Sequence, residues 1–462
     1  MKAAIPPGSI PAEAEIRLSG VTKLGTIAVT LLTTALGGLA PASRAARRDV
    51  FARLAGTGKG AEGSSPHGNL RSVLVAGQVS LAIVLLIGGG LIIRTFFALM
   101  HVDVGFDPKN IMVAHLILPD AQYTTSGAKQ AFFRQVLPRI GALPGVTSVT
   151  LSDSLPVTRP NLSEVSITGS IHSETWTSAF DLVDEDYFQT IRLPLLRGRV
   201  LSATDIDSAR NVAVINKRFT HDFFGDSDPI GRTIGFKELN SLMGVPRGVP
   251  FEIVGVVGDA RNDGLANDTR PEAFIPHTIT ALADDTILVR TAVSQDGIVD
   301  NIRKVVSSID PNVALADADS LQDVLHRDCL AAPEFGLFLL GIFAGIGLIL
   351  SAIGVFSVTS YSVSPQTHDI GIRMALGAQP DGVLRMVLLK GLRPIVAGIL
   401  IGLGANFGLM RLMANQLYGV SPTDPGTFIG VVIVLGTVGM AACFLPARRA
   451  TKVDPLIALR YE

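Results

Sequence analysis

Apolar positions along the chain gather into five runs, at residues 22–42, 73–98, 335–361, 393–413 and 425–445. Each is close to the ~20 residues that a helix needs to cross a bilayer. The first is the weakest, being rich in Thr and Gly and opening on Lys23. Between the second and third runs lies a stretch, about 102–333, with another rhythm. There "NIMVAHLIL", "VTSVTLSD", "VSITGSI", "NVAVIN", "FEIVGVVGDA" and "DTILVRTAV" predict strands. Ala128 to Leu143 and residues 295–309 predict helices, the first ended by Pro144-Gly145 and the second by Pro311. The order strand, helix, strand at the start of this stretch predicts a β-α-β unit. The pattern as a whole predicts an α-helical membrane protein with about five transmembrane helices. Between the second and third of these it carries a mixed α/β domain, of two lobes, tethered to the membrane at both ends.

Charge orients the spans. Arg44, Arg47, Arg48, Arg53, Lys59 and Arg71 lie between runs one and two, against only Asp49 and Glu62. Arg373, Arg385 and Lys390 lie between runs three and four, and Arg448, Arg449, Lys452 and Arg460 follow run five. By the positive-inside rule all three regions are cytoplasmic. The acidic 102–333 stretch and the N-terminus are then outside, and the C-terminus is in the cytoplasm. Arg94, late in the second run, is expected to snorkel to the outer interface. The segment "GTGKGAEGSSPHG" at 56–68 reads as a flexible cytoplasmic linker. Composition agrees: 17% charged residues and a mean hydropathy of +0.42 suit a membrane protein. A net charge of −1 argues against a nucleic-acid partner. No secretory signal is read at the start, where Pro6 and Pro7 interrupt the place of an apolar core.

The chain shows no catalytic constellation, so no enzyme, cofactor or metal site is expected. A phosphate-cradling loop would need G-x-x-x-x-G-K-[ST], but Arg53 stands at its first Gly and Gly60 at its Ser or Thr. The eight histidines never fall three or four apart, and the two cysteines, Cys329 and Cys443, have no ligand spacing. Asp184-Glu185-Asp186 reads as a solvated turn. "GDARNDGLANDTRPE" reads as a surface loop, because its spacing differs from a calcium loop. Glycines at 88–90, 341, 345, 398 and 402 are expected to let membrane helices approach closely.

Pro41, Ala42, Arg44, Ala45, Asp49 and Leu54 recur in register as Pro446, Ala447, Arg449, Ala450, Asp454 and Leu459. An internal duplication explains the echo, and so does convergence on a basic juxtamembrane segment. The cytoplasmic stretch "PQTHDIGIRMALGAQPDGVLRMVLLKG" (365–391) contains a short helical pattern over 366–376 with apolar anchors, stopped by Gly377. Such a helix suits a groove on a soluble partner. It also suits a helix lying on lipid.

These stretches resemble the MacB/FtsX-type permeases of ABC transporters, and within them the acidobacterial duplicated orphan permeases. The resemblance is carried by "VAGQVSLAIVLLIGGGLIIRTF", "PLLRGRVLSATD", "NVAVINKRFTHDFFGDSDPIGRTI", "IVGVVGDARNDGLANDTRPEAFIPH", "THDIGIRMALGA", "YGVSPTDPGTF" and "PARRATKVDPLIALRYE". It implies a periplasmic core domain at 102–333 and a helix of the permease at 73–101. A C-terminal permease domain follows at 334–462, with three spans and a coupling loop at 362–392. Residues 1–42 would be a remnant of a first permease half, joined by a linker at 43–72. The implied location is a bacterial inner membrane. The implied ATPase contact is His368, Asp369, Ile370, Ile372, Arg373, Met374 and Leu376, where Asp369 replaces a commoner Glu. The implied partners are an ABC ATPase in trans, a first permease half or second permease copy, and membrane lipid, with other extracytoplasmic partners open. Two functions follow as alternatives: coupling of ATP hydrolysis to movement of the outer domain for export, or regulatory control of an extracytoplasmic partner without transport.

Overall fold

The structure, a computed structural model, describes residues 20–34, 66–119, 121–157, 160–168, 175–241, 248–280, 284–292, 297–363, 379–413 and 417–450. The fold divides into two compact units, one of which is Ile93–Phe335 with Tyr418–Val420. The other holds the remaining described residues and is helical.

In the helical unit, α1 (Gly20–Thr34) tolerates its threonines because their hydroxyls turn back on the helix. Thr30 donates to Thr26 O at 2.8 Å and Thr34 to Thr30 O at 2.7 Å. Next comes α2 (Pro66–Met100), whose proline occupies the first turn, where a missing N–H costs nothing. It therefore begins seven residues before the predicted apolar run, inside the segment read as linker. Four helices among the described residues are long and apolar enough to span a membrane: Ser72–Met100, Leu321–Tyr361, Asp381–Leu409 and Pro425–Arg449. They match four of the five predicted runs. Of the run at 22–42, residues 35–42 lie outside the described residues.

The α/β unit begins with β1 (Ile111–Ile117), α3 (Ser126–Gly141), β2 (Val146–Ser152), β3 (Asn161–Ile167), β4 (Trp176–Val183) and α4 (Tyr187–Ile191). It continues through β5 (Leu195–Gly198), α5 (Ala203–Asp207), β6 (Val212–Asn216), α6 (Lys217–Phe224), β7 (Thr233–Phe236) and β8 (Phe251–Val257). Last come β9 (Glu272–Pro276), β10 (Asp284–Thr291), α7 (Ile298–Ile309), β11 (Ala314–Ser320) and α8 (Leu321–Leu325). The expected β-α-β unit forms, but β10 inserts between its strands. It pairs antiparallel with β1 (Ile111 opposite Arg290) and with β2 (Leu151 opposite Ile287). With β11 on the other side of β1, these make a four-stranded sheet. Thr125 caps α3 by accepting from Ala128 N, and the helix lays Phe132, Phe133, Val136 and Ile140 on the sheet. Beside it α7 contributes Ile298, Ile302 and Val306, four residues apart.

The second lobe is a closed ring. Strand β3 pairs with β4, β4 with β9, β9 with β6, β6 with β8, β8 with β7, and β7 again with β3. Closure removes free strand edges. Alternate residues such as Val165, Phe180, Ile215, Ile234, Phe251 and Ile275 fill the interior. The two lobes share little backbone: Ser152 opposite Val183 is the single paired position between β2 and β4. A middle core binds them instead, with Ile111, Val113 and Leu288 from the sheet against Val212, Val214 and Phe274 from the ring. Arg290 is 5% exposed and donates to Asp107 O at 2.6 Å, Lys109 O at 2.9 Å and Thr190 O at 2.5 Å. Its charge is tolerated because these acceptors and the Asp107 carboxylate surround it.

Three further helices complete the helical unit: α9 (Ala331–Val363), α10 (Pro380–Met413) and α11 (Pro425–Ala450). Asp424 caps α11 by accepting from Thr427 N at 2.7 Å. Centrally, α2 buries Val79, Ala82, Ile83 and Ile87 completely. A Cβ on Gly398 of α10 would lie 2.6 Å from Ala76 O, and one on Gly402 would lie 2.8 Å from Ile83 Cβ. These glycines do bring helices together. Gly341 and Gly345 do not, for a Cβ on either meets nothing within 4 Å. Sequence spacing is the same in both pairs, but only α10 turns its pair toward a neighbour. Gly398→Leu should therefore destabilise the full chain by about 1–3 kcal/mol, the usual cost of overpacking. Gly341→Leu should leave stability unchanged. Denaturant unfolding in mixed micelles measures both, and equal effects would contradict the packing described.

Candidate functional site

His368, Asp369, Ile370, Ile372, Arg373, Met374 and Leu376 lie outside the described residues. The helices on either side of them are described. At their near ends α9, α10 and α11 converge on three small side chains. Thr359 of α9 donates to Val355 O at 2.8 Å and meets Cys443 Sγ of α11 at 3.6 Å. Opposite is Gly391 of α10, where a Cβ would lie 2.7 Å from that sulfur and 3.0 Å from Thr359 Oγ1. Only hydrogen fits there without displacement. Val383 and Val387, in the first turns of α10, pack on Ala447 of α11. The two helices that border the 364–378 segment are thus both seated on α11. Sequence reading missed this contact, since Thr359 and Cys443 are ordinary members of apolar runs and Gly391 ends the stretch read as cytoplasmic.

A second polar constellation sits where the two lobes of the α/β unit meet. Asp153 follows β2, and Asp181 lies in β4, 2% exposed. Ser152 Oγ donates to both oxygens of Asp181 at 3.1 Å. Asp153 accepts from Leu182 N at 2.8 Å and from Asn161 Nδ2 at 2.9 Å. The two carboxyls also hydrogen-bond to each other, which requires a shared proton. Burial is the main cause that pushes both above the ordinary carboxylate range, and for Asp181 the neighbouring Asp153 adds to it. Glu272, at the start of β9, is pushed up to about 7 by burial, against the opposing donation from Asn262 Nδ2 at 2.8 Å. Asp184 is also buried, so the expected solvated turn at 184–186 is corrected: it is exposed only at Asp186. The end of β4 carries it into the interior.

Because these folded-state values are raised, the folded protein holds more protons than the unfolded chain between about pH 4 and the folded values. Their contribution is complete below that window and is lost as pH rises through it, to about 7 for Glu272. Asp181→Asn, which keeps a neutral side chain of the same shape, should gain stability relative to wild type as pH rises from 4 to 8. Thermal unfolding of both proteins across that range reads the difference. A constant difference would refute the shared proton.

Comparison with known proteins agrees with this architecture. The MacB-like periplasmic core domain model matches residues 72–318, and the FtsX-like permease C-terminal model matches residues 341–455. The chain belongs to the MacB/FtsX-type family of ABC transporter permeases. The macrolide export ATP-binding/permease protein MacB of Neisseria meningitidis serogroup A is 28% identical over 293 residues, covering 61% of this chain and 43% of that protein. The chain thus spans less than half the length of that relative. The uncharacterized ABC transporter permease YknZ of Bacillus subtilis is 23% identical over 351 residues, covering 74% of this chain and 82% of that one. The periplasmic region of MacB from Actinobacillus actinomycetemcomitans aligns with a TM-score of 0.32 and 17% identity, over 48% of this chain and 94% of that region.

Proposed function

We propose that the chain is the membrane subunit of an ATP-driven export machine, moved by a separate ATPase that docks on residues 366–376. The observation that carries the reading is helix continuity. Helix α2 runs from Pro66 to Met100, and its Leu99 is part of the middle core of the α/β unit. The α8–α9 stretch is helical from Leu321, in that same core, to Val363, interrupted in style only by a π turn at His326–Leu330. A displacement applied at the 364–378 segment is passed directly to Thr359 and Gly391. The α8–α9 stretch then carries it along the chain to Leu321, and α2, packed on Gly398 and Gly402 of α10, carries it to Leu99. The proposed orientation places the α/β unit outside a bacterial inner membrane and the C-terminus in the cytoplasm.

Two experiments test this reading. In spheroplasts, a cysteine replacing exposed Ser227 should label with an impermeant thiol reagent, and one replacing exposed Arg385 should not. Met374→Asp would place an unpaired carboxylate in the ATPase groove, at a cost of several kcal/mol, while insertion into the membrane stays normal. Co-purification of the ATPase with the full chain should be lost. Retention at wild-type levels would leave residues 366–376 as a lipid-lying segment and sink the docking proposal. Loss of partner activation in cells without loss of export would favour the regulatory alternative.

A further inference from the structure

The α/β unit also contains a cavity of about 450 Å³ that no step above uses. One wall is apolar, built from Phe133, Leu137 and Pro138 of α3 with Val149 of β2 and Ile206 of α5. Other parts of the lining are acidic. Asp184, Glu185 and Asp186 enter from the end of β4, and Asp207 enters from α5. Among the described residues that line it, Arg134 is the one arginine or lysine, and it is already engaged with Asp207 at 2.5 Å on the half-exposed rim. His277 also lines the cavity. Its Nδ1 is enclosed and has no hydrogen-bond partner.

These groups ask for a cation. The cavity's acceptors outnumber its donors, and its carboxyls crowd one another. Burial first, and Asp184 second, push Glu185 up to about 8, so near neutral pH it keeps a proton that the approach of a cation would release. Burial lowers His277 to about 4, which keeps the imidazole neutral. With the ring proton on its other nitrogen, Nδ1 keeps an unused acceptor lone pair. The volume is within the range of pockets that hold small organic molecules. The apolar wall gives such a molecule's body a place that a bare metal ion would leave empty.

We propose that this cavity binds an organic ammonium ion with an apolar body, the nitrogen toward Glu185 and His277 and the body against Phe133 and Leu137. The site is independent of the ATPase contact proposed above.

The test uses the full chain in lipid nanodiscs, with empty nanodiscs subtracted, and three probes of one shape: 3-phenylpropylammonium, 3-phenylpropanol and 3-phenylpropanoate. Ligand-observed NMR titration should show saturable binding of the ammonium, about tenfold or more tighter than the alcohol, as a charge-assisted hydrogen bond implies. The carboxylate should not bind. Asp184→Asn with Glu185→Gln should weaken the ammonium and leave the alcohol unchanged, whereas His277→Phe should weaken both. Equal binding of ammonium and alcohol to the wild-type protein would overturn the proposal, whether or not the variants fold. So would wild-type ammonium affinity in the folded double variant.

Discussion

Leu99, Ile111, Phe274 and Leu321 come from four different elements and meet in one apolar core, on which the α/β unit depends. The constraint behind it is the two-residue period of a strand. In β1, Ile111 and Val113 face this core while Met112 and Leu116 face α3 and α7. A register slip of one residue would exchange the two sets and empty both cores. The same core takes the last turn of α2 and the first residue of α8, so the sheet, the ring and these two helix ends share one set of contacts.

The helical unit obeys a different rule, because apolar side chains gain nothing by leaving lipid for one another. Its helices are held by close approach at Gly398 and Gly402, and their buried polar side chains are satisfied within their own helices. Asn406 Nδ2 donates to Gly402 O at 3.1 Å, and Ser351 Oγ donates to Gly347 O at 2.8 Å. Thr359 and Cys443 continue the pattern at the junction beside the proposed docking segment. There the close fit of Thr359, Gly391 and Cys443, together with the packing of Val383 and Val387 on Ala447, decides how α9, α10 and α11 stand to one another.

Much of this was legible in the sequence. The apolar runs, α3, α7 and strands β1, β2, β6, β8 and β10 follow their periodicities. The missed strands hide for physical reasons. In β4, Ser178 and Asp181 are buried among apolar residues, so neither face alternates. The four residues of β7 include a glycine, and β9 ends on a proline. Strand β11, "ALADADS", lies at the open edge of the sheet and carries two aspartates where a core strand would carry apolar residues. Closure of the ring depends on the parallel pairing of β4 with β9, some ninety residues apart, which no local pattern announces. The shared proton of Asp153 and Asp181 is invisible for the same reason. Each residue alone reads as an ordinary surface acid, and their meeting is a product of the fold.

The pairing of β1 with β10 sets a timetable for biogenesis. Ile111 waits for Arg290, almost 180 residues later in the chain. At the usual pace of synthesis that is roughly 10–40 s. During that interval α2 is already made, and β1 stands with both edges open, carrying Ile111, Met112 and Val113 uncovered. The nascent chain therefore passes through a period of vulnerability to proteases and to mispairing with neighbouring chains, and it ends only when residues near 290 arrive. Speed of translation across 118–290 becomes a determinant of yield, even for substitutions that leave the finished protein unchanged.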